Sequence, residues 1–173
     1  SGWRQPSRVT FGHGWVRKGA WELFSETVNL YEPIIPEFFD ENLEVIQEGK
    51  VPELAELNLH MGTTWPWNRA IYSNAGNGHL RIEFRALPAG PTALDMLANA
   101  AFSIGMAVGL EDRIDEYMSR FPFRFAEYNF YRAAKRGLKA TILWPQNYQN
   151  KPVEIPIKNV IDDMLQVAND GLS

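Results

Sequence analysis

Apolar and polar positions alternate in two registers along this chain. Residues 9–16 (Val-Thr-Phe-Gly-His-Gly-Trp-Val) repeat every second position and predict a strand, weakened by two glycines. Trp21, Leu23, Phe24, Val28 and Leu30 predict an amphipathic helix over 20–31, ending before Pro33. After the Pro-Ile-Ile-Pro break at 33–36, helical patterns return at 41–47 and 52–59, with Pro52 suited to a first turn. Residues 63–72 are β-branched and aromatic, the turn signal Ser73-Asn-Ala-Gly-Asn-Gly78 follows, and His79 to Arg85 alternate cleanly, so a β-hairpin is expected. Pro88-Ala-Gly-Pro91 ends the second strand, and Thr92 is placed to cap a long helix reaching Leu110. Helices are expected at 111–119 and 123–136, with Gly137 as the stop. A second hairpin, 139–144 with 152–156, turns around 146–150, and an amphipathic helix at 160–168 closes the chain. Without a regular βαβ alternation, the expected class is α+β: an antiparallel sheet with helices packed on one side, in a single domain spanning 1–173.

Composition narrows the classes. With 173 residues, 45% hydrophobic and 22% charged, the chain can bury a core in the manner of ordinary soluble proteins. It has no cysteine, which excludes disulfides and thiolate chemistry within these residues and fits a reducing, cytoplasmic setting. A net charge of −4 argues against a broad nucleic-acid surface. The basic run Arg132, Lys135, Arg136, Lys139 reads as a solvated helix C-terminus that complements the dipole. No signal-peptide pattern opens the sequence, and the apolar stretch 93–110 is short for a membrane span. Nothing in the first residues resembles a natural start, so the chain is expected to begin inside a longer polypeptide.

The strand His79-Leu-Arg-Ile-Glu-Phe-Arg85 carries the candidate chemistry. Alternation sets His79, Arg81, Glu83 and Arg85 on one face and Leu80, Ile82 and Phe84 on the other, where they can enter a core. A carboxylate between guanidinium groups suits a cation on the former and anionic oxygens on the latter. The same face also reads as a solvated strand whose charges pair with one another, a contribution of ~0–1 kcal/mol. Arg69, on the neighbouring strand with Trp65 and Trp67, is either a third cationic group or a structural arginine stacked on an aromatic ring. His13, His60 and His79 lack metal-ligand spacing and read as hydrogen-bonded structural residues. Asp95 and Asn99 read as groups tying helix to turn. The aromatic residues Phe121, Phe123, Phe125, Tyr128, Phe130 and Tyr131 read as core or interface, and Gly12-His13-Gly14 lacks the full dinucleotide fingerprint.

The order Arg81-Ile-Glu83-Phe-Arg85, Leu87-Pro-Ala-Gly-Pro-Thr92, Ala98-Asn-Ala-Ala-Phe102 resembles the metal- and substrate-binding strand, turn and helix of the glutamine synthetase superfamily. The closer likeness is to the bacterial glutamate–cysteine ligase-like group of carboxylate–amine ligases. Trp65-Pro-Trp67-Asn-Arg69 looks like that group's Trp-x-Trp-Asn-Arg strand, and Phe11 to Arg17 and the closing hairpin and helix fit its C-terminal part. The resemblance implies part of a glutamine synthetase-like catalytic fold and an ATP-dependent ligase. In it, the γ-carboxylate of a glutamate-like substrate is phosphorylated and the acyl phosphate is captured by an amine. It further implies that Glu83 holds Mg²⁺ (or Mn²⁺), and that Arg81 and Arg85, with Arg69, hold phosphate or substrate carboxylate. Met61 departs from the group, which tends to have asparagine there. No Glu-x-Glu strand occurs before residue 60, so the chain is expected to be the C-terminal portion, dependent on an N-terminal portion of the same protein or on a second copy. The competing expectation is a non-catalytic metabolite-binding or dimerisation domain that retains the ligase scaffold.

Overall fold

The computed structural model describes residues 4–145 and 152–173, and the chain divides into two compact units, 1–86 and 87–173. It is mixed α and β, with strands confined to two-stranded ladders among the described residues. The expected antiparallel pairing is present in two ladders, and among the described residues it does not join into one continuous sheet. Three separate ladders take its place, because strands of two to six residues are cut short by proline and glycine.

In the first unit, β1 (Val9–Thr10) pairs in parallel with β2 (Trp65–Pro66). The strand expected over 9–16 stops there, since Gly12 takes a φ of 124°, outside the range of strands. Helix α1 (Ala20–Leu30) follows as expected and ends at an extended Tyr31 ahead of Pro33. The pattern at 41–47 yields only a 3₁₀ turn, Leu43–Ile46, largely exposed. Glu41 instead turns its carboxylate onto the N-terminus of α2 (Ala55–Gly62), accepting from the backbone N–H of Glu53, Leu54 and Ala55. That helix starts three residues later than Pro52 suggested, behind a left-handed Leu54. Strand β3 (Asn68–Ser73) and strand β4 (His79–Phe84) form the expected antiparallel hairpin, with Arg69 opposite Glu83 and Ile71 opposite Arg81. Phe24, Met61 and Ala70 make the core, with Leu23, Leu57 and Tyr72 packed against it. The helices therefore cover the β3 side of the hairpin's apolar face. Leu80, Ile82 and Phe84 on the outer strand β4 stay about half exposed, contrary to the expectation that they enter a core.

In the second unit, Thr92 and Asp95 form a reciprocal capping box at the start of α3 (Ala93–Gly109). A 3₁₀ turn at Glu111–Arg113 leads into α4 (Ile114–Arg120), then α5 (Phe123–Arg136), which stops at Gly137 with a positive φ. Strands β5 (Thr141–Trp144) and β6 (Val153–Pro156) pair antiparallel as expected, and their connection at 146–150 lies outside the described residues. Helix α6 (Ile157–Gly171) begins directly after β6 and extends beyond the expected 160–168. Ala140, Ile142, Val160 and Met164 form this unit's core, with Phe102, Met106 and Trp144 around it. Helices α3 and α6 meet backbone to backbone: a Cβ at Gly105 would strike the carbonyl oxygen of Ala168, and one at Gly109 that of Val167. Of the aromatic run, Phe121 is buried between Phe125 and Trp144, whereas Tyr128 and Tyr131 remain half exposed. No single helix among the described residues is long and apolar enough to cross a membrane.

Candidate anion-binding face

The β3–β4 register decides what the charged strand presents. Residues directly opposite one another in an antiparallel pair share a face, so Arg69 and Glu83 lie together with Arg81 and His79. Arg85 follows the last residue of β4 and is held to the ladder by its N–H on the carbonyl of Trp67, at 2.9 Å. Glu83 receives Arg69 through Nη2 at 2.9 Å and Nε at 3.0 Å, and Arg85 Nε lies 3.5 Å away, all on Oε2. A single carboxylate oxygen is thereby clamped between two guanidinium groups.

Burial grades these groups. The side chain of Arg85 is only 10% exposed, Arg69 20% and Glu83 43%. The Arg85 guanidinium lies over the Trp65 ring, 3.5 Å from its centroid, which shields one face of the cation while leaving its edge available for hydrogen bonds. Its Nη1 is buried and has no hydrogen-bond partner among the described residues. Burial, and then the neighbouring Arg69, lower the Arg85 pKa below the usual arginine value, and Glu83 opposes them. A guanidinium stays protonated regardless.

Arg81 has a different setting. It is exposed, and its Nη1 lies 2.8 Å from His79 Nε2. Arginine only donates, so Nε2 is the acceptor in this contact. The structure thus brings Arg69, Glu83 and Arg85 together and leaves Arg81 on the same face, towards the hairpin turn. The stacked arginine suggested for Arg69 is Arg85 instead, and Trp65 is the ring that holds it. Its signal was the Trp-x-Trp segment opposite the end of β4.

With Arg81 counted, the face carries three guanidinium groups against one carboxylate, a field that favours an anion. A divalent cation fits it poorly. Mg²⁺ demands close to six oxygen ligands, and among the described residues no three His, Asp or Glu converge. Glu83 offers only Oε1 beyond its ion pairs, so these residues do not by themselves make the expected metal site. The other histidines behave structurally: His13 Nε2 meets the Tyr31 hydroxyl at 3.1 Å, and His60 Nε2 lies 3.4 Å from the Thr27 carbonyl. Asp95 serves the α3 cap. An open cleft elsewhere in the first unit, lined by Phe39, Asp40, Glu41, Lys50 and Glu53, is predominantly acidic and unsuited to an anion. Comparison with protein-family models, curated proteins and solved structures finds no match for this chain.

Proposed function

We propose that the chain is the anion-holding portion of an ATP-dependent carboxylate–amine ligase of the glutamate–cysteine type. The observation that carries this reading is the buried Nη1 of Arg85, without a partner among the described residues, in a guanidinium stacked on Trp65 beside Arg69. A desolvated N–H of a cation is costly to leave unpaired, and an oxygen of a carboxylate or phosphate satisfies it. The order of the Arg-x-Glu-x-Arg strand, proline turn and alanine-rich helix supplies the reaction class. In that reaction a substrate carboxylate oxygen attacks the γ-phosphorus of ATP and ADP leaves. An amine then attacks the acyl carbon to form the C–N bond, the acyl C–O bond to phosphate breaks with its electron pair leaving on phosphate, and the amine nitrogen gives up a proton. Arg85 and Arg69 hold the oxygens that carry charge through both steps, Arg81 adds a solvent-facing cation, and Glu83 fixes the two guanidinium groups in place. Mg²⁺ or Mn²⁺ belongs to this reading through the resemblance alone; Glu83 would contribute one oxygen, and the other ligands would come from outside the described residues.

A second reading, a non-catalytic metabolite-binding domain, is favoured by the clamping of Glu83 and the absence of converging carboxylates among the described residues. Calorimetric titration of the chain with inorganic phosphate and with glutamate, beside Arg85→Met, tests anion holding: binding should weaken at least about tenfold, the loss of one charge-assisted hydrogen bond. Equal binding by both proteins would refute the site. ADP release by the complete gene product, dependent on glutamate, an amine and Mg²⁺, separates the ligase from the binding domain. Anion binding with no ADP release would select the latter.

A further inference from the structure

We propose that a second copy of this chain docks on α3, helix against helix in antiparallel orientation about a two-fold axis through Ala101. Leu94, Leu97, Ala101, Ile104 and Val108 follow one another at spacings of three and four and fall within an arc of about 80°. Leu94, Leu97, Ile104 and Val108 are each between 52% and 76% exposed. Asp95 is the only charged residue of the 17-residue helix, and it is tied into the Thr92 cap. A helix this apolar belongs in an interior. It cannot roll to hide the stripe, because its adjacent face is fixed on α6 by the contacts at Gly105 and Gly109 that admit no Cβ.

The stripe is complementary to itself. Two large aliphatic residues, a central alanine and two more large aliphatic residues read alike in both directions. Antiparallel pairing therefore sets Leu94 against the partner's Val108 and Leu97 against the partner's Ile104, while the two Ala101 methyl groups let the helices approach. No charge on the stripe repels its copy. Glu111 and Asp112 lie beyond the C-terminal end of α3, where they oppose their own helix dipole. In the antiparallel pair they come beside the N-terminal end of the partner's α3, whose dipole attracts them while the Asp95 carboxylate capping that end opposes them. Burying both stripes removes on the order of 1,000 Å² of surface, the size at which a specific interface begins. This inference does not depend on the anion face, which lies in the other unit.

Light scattering over a concentration series tests it. The chain should pass from 19.8 kDa to twice that mass, and the Leu97→Glu/Ile104→Glu variant should stay at 19.8 kDa with unchanged helix content. Because the chain lacks cysteine, Ala101→Cys should cross-link on mild oxidation, whereas Ser119→Cys on α4 should not. This readout holds even if the double glutamate variant unfolds. A wild-type chain that is monomeric throughout, a dimer untouched by the glutamates, equal cross-linking at both cysteines, or a monomer that binds lipid vesicles through the stripe would each overturn the proposal.

Discussion

Replacing Glu83 with glutamine separates a metal ligand from an ion-pair partner, since volume is kept and only charge is lost. Were Glu83 a metal ligand and nothing more, substitution would leave stability unchanged. The geometry requires otherwise: its Oε2 is the shared partner of Arg69 at 2.9 Å and of Arg85 at 3.5 Å, and Arg85 is nine-tenths buried. Breaking a fully buried pair costs about 3–5 kcal/mol and an exposed one about 0–1 kcal/mol. Glu83 is 43% exposed, so water screens part of the interaction, and the glutamine oxygen still accepts one hydrogen bond from Arg69. A loss of about 1–2 kcal/mol follows, chiefly from leaving Arg85 uncompensated. Urea unfolding of Glu83→Gln, Arg69→Met and the double variant measures this, and the two changes should be non-additive by a comparable amount. Inorganic phosphate should restore the Glu83→Gln variant more than it stabilises the wild type, because a bound anion takes over the missing charge. An unaltered urea midpoint in Glu83→Gln, without phosphate, would refute the ion-pair assignment.

Three further substitutions, one with a matched control, probe the scaffold. Gly105→Ala gains about 1 kcal/mol of helix propensity but drives a methyl group into the Ala168 backbone, which has no rotamer by which to yield. A net loss of about 1–3 kcal/mol in thermal or urea unfolding is expected, against no loss for Gly62→Ala, which meets nothing within 4 Å. Asn129→Ala should cost about 2–4 kcal/mol, because the amide both donates to the Leu143 carbonyl at 2.5 Å and accepts its N–H at 2.8 Å, joining α5 to β5. Burial raises the Glu26 pKa, with Glu22 adding to it and His13 opposing. A carboxyl raised on folding contributes fully below its unfolded value and loses that contribution as pH rises to the folded one. Glu26→Gln should therefore melt higher than wild type at neutral pH, and the two should converge in acid; equal melting temperatures at pH 7 would contradict the burial argument.

What could be read from the sequence was governed by local chemistry. Thr92 and Asp95 announce the start of α3 because a capping box is satisfied within four residues, and Ser73 to Gly78 announce the hairpin because the turn needs residues that tolerate positive φ, as Gly76 and Gly78 do. Where an element depends on a distant partner, the pattern misleads. The apolar spacing at 41–47 suggests a helix, yet Glu41 is drawn to α2 more than ten residues away, and only a 3₁₀ turn survives. The charged strand shows the same limit within the site itself. Alternation correctly assigns Arg81 and Arg85 to one face, and nothing in the strand distinguishes them. Their fates are set across the ladder. Arg81 stands opposite Ile71, remains in solvent and turns to His79, whereas Arg85 lies beyond the strand end, where Trp67 holds its backbone and Trp65 covers its guanidinium. Periodicity fixes the side of a sheet on which a residue emerges, but depth of burial depends on what the neighbouring segment places above it. Only depth makes a guanidinium N–H costly to leave unpaired, so the difference between Arg81 and Arg85 is legible only after the hairpin has formed.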